Sequence, residues 1–302
     1  MRISKLAVAI MLLFPLVAGA ELREQDKPVY LLEMSSEGDG YALLVDKQEQ
    51  ELYLYRGSED GPRLHKRFRC TTGRNNNGTK LREGDLKTPN GVYFFRGILE
   101  DDQLPSKYGV RAFTMDYPND FDRLRHKTGS GIWLHAVDED GRVEKNYDTE
   151  GCVVVTNADI RELSSYITLW DTPIIVDDSL RIDTPDQYDS ARNKVLDFIT
   201  TWRTSWEQER LDEYMACYDE RFIGYGRTKA QHRAHKKRLN GMYKKIDVDL
   251  TDISVYAFHN YLVVSFNQEY RSDRYHSRGR KKLYLTRDGD GFRILSERIS
   301  RM

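Results

Sequence analysis

The pattern of the chain changes once, between Asp177 and Asp186, and that change constrains the fold more than any other feature. Before it, short apolar runs alternate with polar turns. Tyr41 to Val45 and Leu52 to Tyr55 read as a hairpin around Lys47 to Glu51, and Arg63 to Cys70 as a further strand. Gly91 to Leu99, Gly131 to Val137 and Thr172 to Val176 are buried-strand candidates. One helix is expected, capped by Asn157, with Ile160, Leu163 and Ile167 on one face. Thr71 to Asn90 is rich in Gly, Asn and Thr and reads as a long functional loop. These signs predict a β-rich sandwich or barrel-like unit. After the change come helices: a long amphipathic one carrying Val195, Phe198, Ile199, Trp202 and Trp206, then Leu211 to Tyr218 and Lys229 to Leu239. Long strands follow, at Ile246 to Phe258, Tyr261 to Arg271, Lys281 to Arg287 and Phe292 to Ile299, with His259-Asn260 and Asp288 to Gly291 as turns. The fold class is therefore α+β in two units, with residues 41–178 as the first, 179–186 as a polar linker and 187–302 as the second.

Residues 1–20 have the order of a secretory signal: Arg2 and Lys5, an apolar run from Leu6 to Val17, then Ala18-Gly19-Ala20. The run is shorter than the roughly 20 residues a membrane span needs. Residues 21–40 form an N-terminal extension, and no later segment is apolar enough to span. The formal net charge of −1 hides an asymmetry, because residues 186–302 carry 23 Lys and Arg against 17 Asp and Glu. So mild an excess, in an exported chain, argues against a nucleic-acid partner.

An exported chain that uses disulfides for stability uses cysteines in pairs. Here there are three, Cys70, Cys152 and Cys217, so at least one thiol is free. Cys217 falls in a helical pattern as a small buried residue. Sequence leaves a bridge between Cys70 and Cys152 open. Cys152 is the thiol available for chemistry. It follows Gly151 directly, and His135 stands seventeen residues before it at the end of a strand. An imidazole that takes the thiol proton makes a nucleophile. Glycine before it allows a sharp turn and brings the amides of Gly151 and Cys152 close to a ligand oxygen. Spacing alone leaves a structural histidine and a buried cysteine as the alternative. A paired Cys152 is expected to react at lower pH than a free thiol near pKa ~8.5.

The stretch His135 … Thr149-Glu150-Gly151-Cys152-Val153 resembles the active-site motif of the L,D-transpeptidase catalytic domain family. Gly84-Asp85-Leu86-Lys87-Thr88-Pro89-Asn90-Gly91-Val92-Tyr93, Asp116 to Asn119 and Gly129 to His135 extend the likeness over roughly 41–177. The resemblance implies cysteine acyl transfer on peptidoglycan stem peptides in the periplasm, at the bond between diaminopimelate and a D-amino acid, without metal or cofactor. It implies Cys152 as nucleophile, His135 as base and then acid, and the carbonyl of Ala136 as the group that orients the imidazole. It further implies the amides of Gly151 and Cys152, with Glu150, as oxyanion donors, and Glu150 and Thr149 as substrate-binding residues. Trp133, Tyr117 and Lys80 are weaker candidates for substrate contacts. Val154 stands where many cross-linking members carry arginine, which puts transpeptidation in doubt more than acylation. Residues 187–302 resemble the nuclear transport factor 2-like cone, with an unknown ligand, and the pairing resembles cell-shape L,D-carboxypeptidases, which favours that activity over a transpeptidase or a lipoprotein-releasing enzyme. His232 and His235 have metal-ligand spacing, but Lys236, Lys237 and Arg238 beside them favour a solvated basic helix. A homodimer is left open, as is the non-enzymatic class of a wall-binding module.

Overall fold

The computed structural model describes residues 26–35 and 40–301. The expected signal at 1–20 and part of the expected extension fall outside the described residues.

The first unit is one curled sheet of eight strands. In space they run Arg63–Arg69, Glu51–Arg56, Tyr41–Asp46, Pro173–Asp177, Gly91–Glu100, Arg111–Met115, Trp133–His135 and Val153–Val154. The strand at Arg111–Met115 carries no long apolar run and is not marked by the sequence pattern. The chain beyond Arg69 closes the curl, because Thr71 and Val154 exchange both backbone hydrogen bonds at 2.9 Å. The central strands are apolar on both faces for a reason. Side chains alternate across a strand, so Leu43, Val45, Tyr93 and Phe95 fill the core of this unit. Ala42, Leu44, Val92 and Phe94 face a second core that also holds Tyr256, Tyr261, Val263 and Tyr284 from the later unit. The short helix is Asn157–Leu163, and its cap is Thr156, which accepts from Asp159 N; Ile167 lies beyond it. Asn157 instead ties loops together: its side chain donates to Val137 O at 2.7 Å and accepts from Val110 N at 3.1 Å.

The second unit is an antiparallel sheet under three helices. Its strand order is Gly291–Arg301, His276–Asp288, Tyr261–Ser272, Ile246–Phe258 and Leu31–Glu33. The last of these corrects the sequence expectation: part of the supposed extension is the edge strand of the distant sheet, with Tyr256 opposite Leu31. The supposed linker is also ordered. Ile182–Asp183 pairs with Lys27–Pro28, and the long helix already begins at Pro185, with Thr184 and Gln187 forming a capping box. That helix, Pro185–Glu207, buries Tyr188, Val195, Ile199 and Trp202 against the sheet. No helix among the described residues is long and apolar enough to cross a membrane.

Polar contacts lock the two units at their shared core. Tyr261 stacks on Phe121 at 4.1 Å, and its hydroxyl accepts from Val92 N at 2.7 Å. Arg280 pairs with Asp171 at 2.9 Å, and Asp120 accepts from Ser296 at 2.7 Å and from Arg298.

Candidate active site

Strand pairing brings the two motif residues together. Trp133–His135 lies between Arg111–Met115, with Ala112 opposite His135, and Val153–Val154, which runs parallel with Val154 beside His135. Cys152 precedes Val154 by two residues, so its side chain shares a face with that of His135. Strands about 4.8 Å apart with a rise of about 3.3 Å per residue put the two Cα atoms on a diagonal of about 8 Å. Two side chains can close that gap.

His135 is buried, and its ring is held from two sides. Nδ1 lies 2.5 Å from the carbonyl of Ala136. A carbonyl only accepts, so Nδ1 carries the proton and Nε2 of the neutral ring keeps a lone pair. Burial pushes the imidazole down to about 4, against the opposing pull of that carbonyl. The ring of Tyr108 stands edge-on to the imidazole at 4.9 Å and packs on Trp133 at 5.0 Å. Tyr108 is therefore the site residue that the sequence does not reveal. It reaches the site because Gly109, at φ +64°, packs where a Cβ would come within 2.6 Å of Ala136 Cβ.

Cys152 keeps part of its surface open, while surrounding atoms desolvate its sulfur. That burial pushes the thiol up to about 11, and the charge of exposed Glu150 adds to the effect. The sulfur donates to Gly131 O at 3.5 Å. Among the described residues the imidazole is not its hydrogen-bond partner. Burial thus disfavours the charged form of both groups, which runs against the expectation of a thiol reactive at lower pH than usual. All three cysteines are free, so the Cys70–Cys152 bridge is not formed; Cys70 and Cys217 are buried.

Gly151 is required by space as well as by its φ of +127°, since a Cβ there would lie 2.7 Å from the carbonyl of Lys87. Its amide is already committed, donating to the Thr149 hydroxyl at 3.1 Å, and that hydroxyl donates to the Cys152 carbonyl at 2.8 Å. Thr149 also anchors the long loop, donating its amide to Thr72 O and accepting from Arg74 N. Val154 is buried with Val137 and Val143 against Cys152.

The weaker substrate candidates separate. Trp133 borders the site and is half-buried. Tyr117 is buried in the core against Tyr93, and its hydroxyl donates to Thr128 O at 3.0 Å. Lys80 is buried and pairs with Asp85 at 2.7 Å. Burial would raise the Asp85 carboxyl, but Lys80 and the amides of Arg82, Leu81 and Lys87 outweigh it and hold it at about 2. Lys80 and Asp85 therefore form the knot of the 71–90 loop. Arg142 clamps the segment between the motif residues, with Asp138 and Asp148 each at 3.0 Å.

The second unit holds a cleft of about 200 Å³ lined by Trp206, Lys236, Tyr243, Gln268, Tyr270 and Tyr275. Behind it Lys281 pairs with buried Glu297 at 2.9 Å, and His232 approaches the same carboxylate at 4.0 Å. The helix Lys229–Leu239 is thus not wholly solvated. His232 and Lys236 face inward, and the Lys236 ammonium sits 3.6 Å from the Trp206 ring centre. Among the described residues no three His, Cys, Asp or Glu side chains gather as a metal site.

Comparison with known proteins places both units. The L,D-transpeptidase catalytic domain family matches residues 40–176, and the Cds6 C-terminal NTF2-like domain matches 194–298. The solved structure of Bd1075 from Bdellovibrio bacteriovorus is 33% identical, covers 92% of this chain and 99% of that one, and superposes with a TM-score of 0.82. The helical cell shape determining protein Pgp2 from Campylobacter jejuni is 25% identical over 91% of this chain and 95% of its own, with a TM-score of 0.70. The curated protein "Putative L,D-transpeptidase YafK" of Escherichia coli strain K12 is 24% identical over 131 residues, 43% of this chain. The chain spans about half, 48%, of the length of that relative. The chain belongs to the L,D-transpeptidase catalytic domain family, with an NTF2-like domain following the catalytic one.

Proposed function

We propose that this protein is a periplasmic cysteine L,D-carboxypeptidase that trims peptidoglycan stem tetrapeptides to tripeptides. The observation that carries the reading is a half-open thiol at the start of the strand paired with that of His135, a buried imidazole whose Nδ1 is tied to a carbonyl. Nε2 is thereby left as the acceptor for the thiol proton.

The reaction starts from the neutral pair. Rotation of the Cys152 side chain away from Gly131 O delivers the S–H to Nε2 as sulfur attacks the carbonyl of diaminopimelate. The amide of Cys152 receives the developing negative charge. The amide of Gly151 joins it only once Thr149 releases it, which narrows the oxyanion role expected of the pair. The imidazolium then protonates the departing amine of D-alanine, leaving a thioester. Nε2 next deprotonates water, which cleaves the thioester and frees the tripeptide. Val154 gives the acceptor side no fixed cation, which supports water over a second stem amine as acceptor. The likeness to Pgp2, a cell shape determinant, supports a role in wall shape.

Incubation of the purified protein with tetrapeptide muropeptides, read by mass, tests the reading. Tripeptide with free D-alanine is expected. A cross-linked dimer would make the enzyme a transpeptidase, and no change with any stem would leave the wall-binding alternative.

A further inference from the structure

The cation nearest in use to this site stands on a neighbouring turn, not on the strand of the nucleophile. Position 154 is a buried valine. Lys80 is committed to Asp85, and Arg142 to Asp138 and Asp148. Lys107 is different. It lies exposed on the single turn Ser106–Tyr108, and among the described residues no acidic side chain pairs with it. Its ammonium rests 4.9 Å from the centre of the Tyr108 ring, and that ring stands 4.9 Å from the imidazole of His135. The charge is therefore within about 10 Å of the imidazole on a flexible four-carbon stem. Behind burial and backbone bonding, it disfavours a proton on both His135 and Cys152.

We infer that Lys107 reads the free carboxylate of the leaving D-amino acid and so selects stems with an unblocked C-terminus. This rests on the carboxypeptidase reading of the site. Consecutive Cα atoms lie about 3.8 Å apart, so a carboxylate one residue beyond the scissile carbonyl falls within about 5 Å of the reacting carbon. A lysine on the adjoining turn can meet it there. The face of Tyr108, the ring that borders His135, holds the ammonium before substrate arrives, which lowers the ordering cost of the contact. An ammonium is a point charge without a fixed fork, so it sorts by charge: it attracts a carboxylate and offers little to an amide or a continuing peptide.

The test compares two synthetic stem tetrapeptides with the full chain, one ending in D-alanine and one in D-alaninamide. The wild type is expected to favour the free acid in kcat/KM by about tenfold, the size of one good charged contact. Lys107→Ala is expected to lose that preference through KM for the acid, with kcat and the amide rates unchanged, and Lys107→Arg to retain it. A Lys107→Ala variant that keeps the preference, or slows both stems equally, overturns the inference while leaving the carboxypeptidase reading intact. A wild type that releases nothing from either stem overturns that reading, and this inference with it.

Discussion

The active site of the first unit and the cluster behind the cleft of the second bury ionisable groups in opposite ways. In the first, Cys152 and His135 meet no charged partner, and burial drives each towards its neutral form. In the second, Glu297 is fully enclosed, yet Lys281 and His232 outweigh burial and hold its carboxyl below the usual range. The active site gives its thiol only a long bond to Gly131 O and pairs neither group with a charge, which leaves both available for bond-making chemistry. The other spends its charges on each other, with Lys236 pushed down to about 7 by burial beside the aromatic wall of a cleft. Such a cluster fixes the wall of the cleft.

The strongest way to break this contrast is to remove one uncommitted group and one committed group. Cys152→Ala is expected to lower turnover by about 10⁴-fold or more, measured as D-alanine release, because nucleophile and base act as a unit. Its melting temperature should stay near that of the wild type. Glu297→Ala is expected to do the reverse. Breaking a buried ion pair costs about 3–5 kcal/mol, read by denaturant unfolding, while the thiol site keeps its chemistry wherever the chain stays folded. Comparable stability after Glu297→Ala would mean that the cluster is not structurally paired. Lys80→Met removes the lysine that pairs with Asp85 inside the 71–90 loop and strands that carboxylate. A loss of about 3 kcal/mol is expected, together with weaker activity, since that loop holds Thr149.

The neutral pair also sets a pH profile. The free base works only when unprotonated, so kcat/KM should fall as pH drops through about 4, tenfold per unit below it. No alkaline loss is expected until the thiol ionises near 11. A bell centred near neutrality would instead indicate a thiolate–imidazolium pair. The smallest effect belongs to the junction. Tyr261→Phe removes the acceptor of Val92 N and should cost about 1 kcal/mol, with a single unfolding transition if the units share one core.

The candidate site was legible in the sequence mainly through family likeness. A thiol, a turn residue and an imidazole at the spacing of Cys152, Gly151 and His135 suit acyl transfer, but the resemblance to the L,D-transpeptidase family is what favoured that over a structural histidine and a buried cysteine. The role of the Ala136 carbonyl came from the same resemblance. Tyr108 was not legible, since it reaches His135 only through the pairing of Arg111–Met115 with Trp133–His135. Lys80 and Tyr117 look alike as polar loop residues in sequence, yet burial commits one to Asp85 and the other to Thr128.

The sequence alone determined what periodicity and local chemistry can encode: strands before Asp177, helices then long strands after it, and a cysteine–histidine motif. Tertiary structure alone decided what depends on distant segments meeting. It moved Leu31–Glu33 into the sheet of the second unit, welded the two units across Val92 and Tyr261, and enclosed the thiol and imidazole so that burial disfavours the charged form of each. Register and desolvation arise only when the whole chain is packed, because each is set by neighbours far away in sequence.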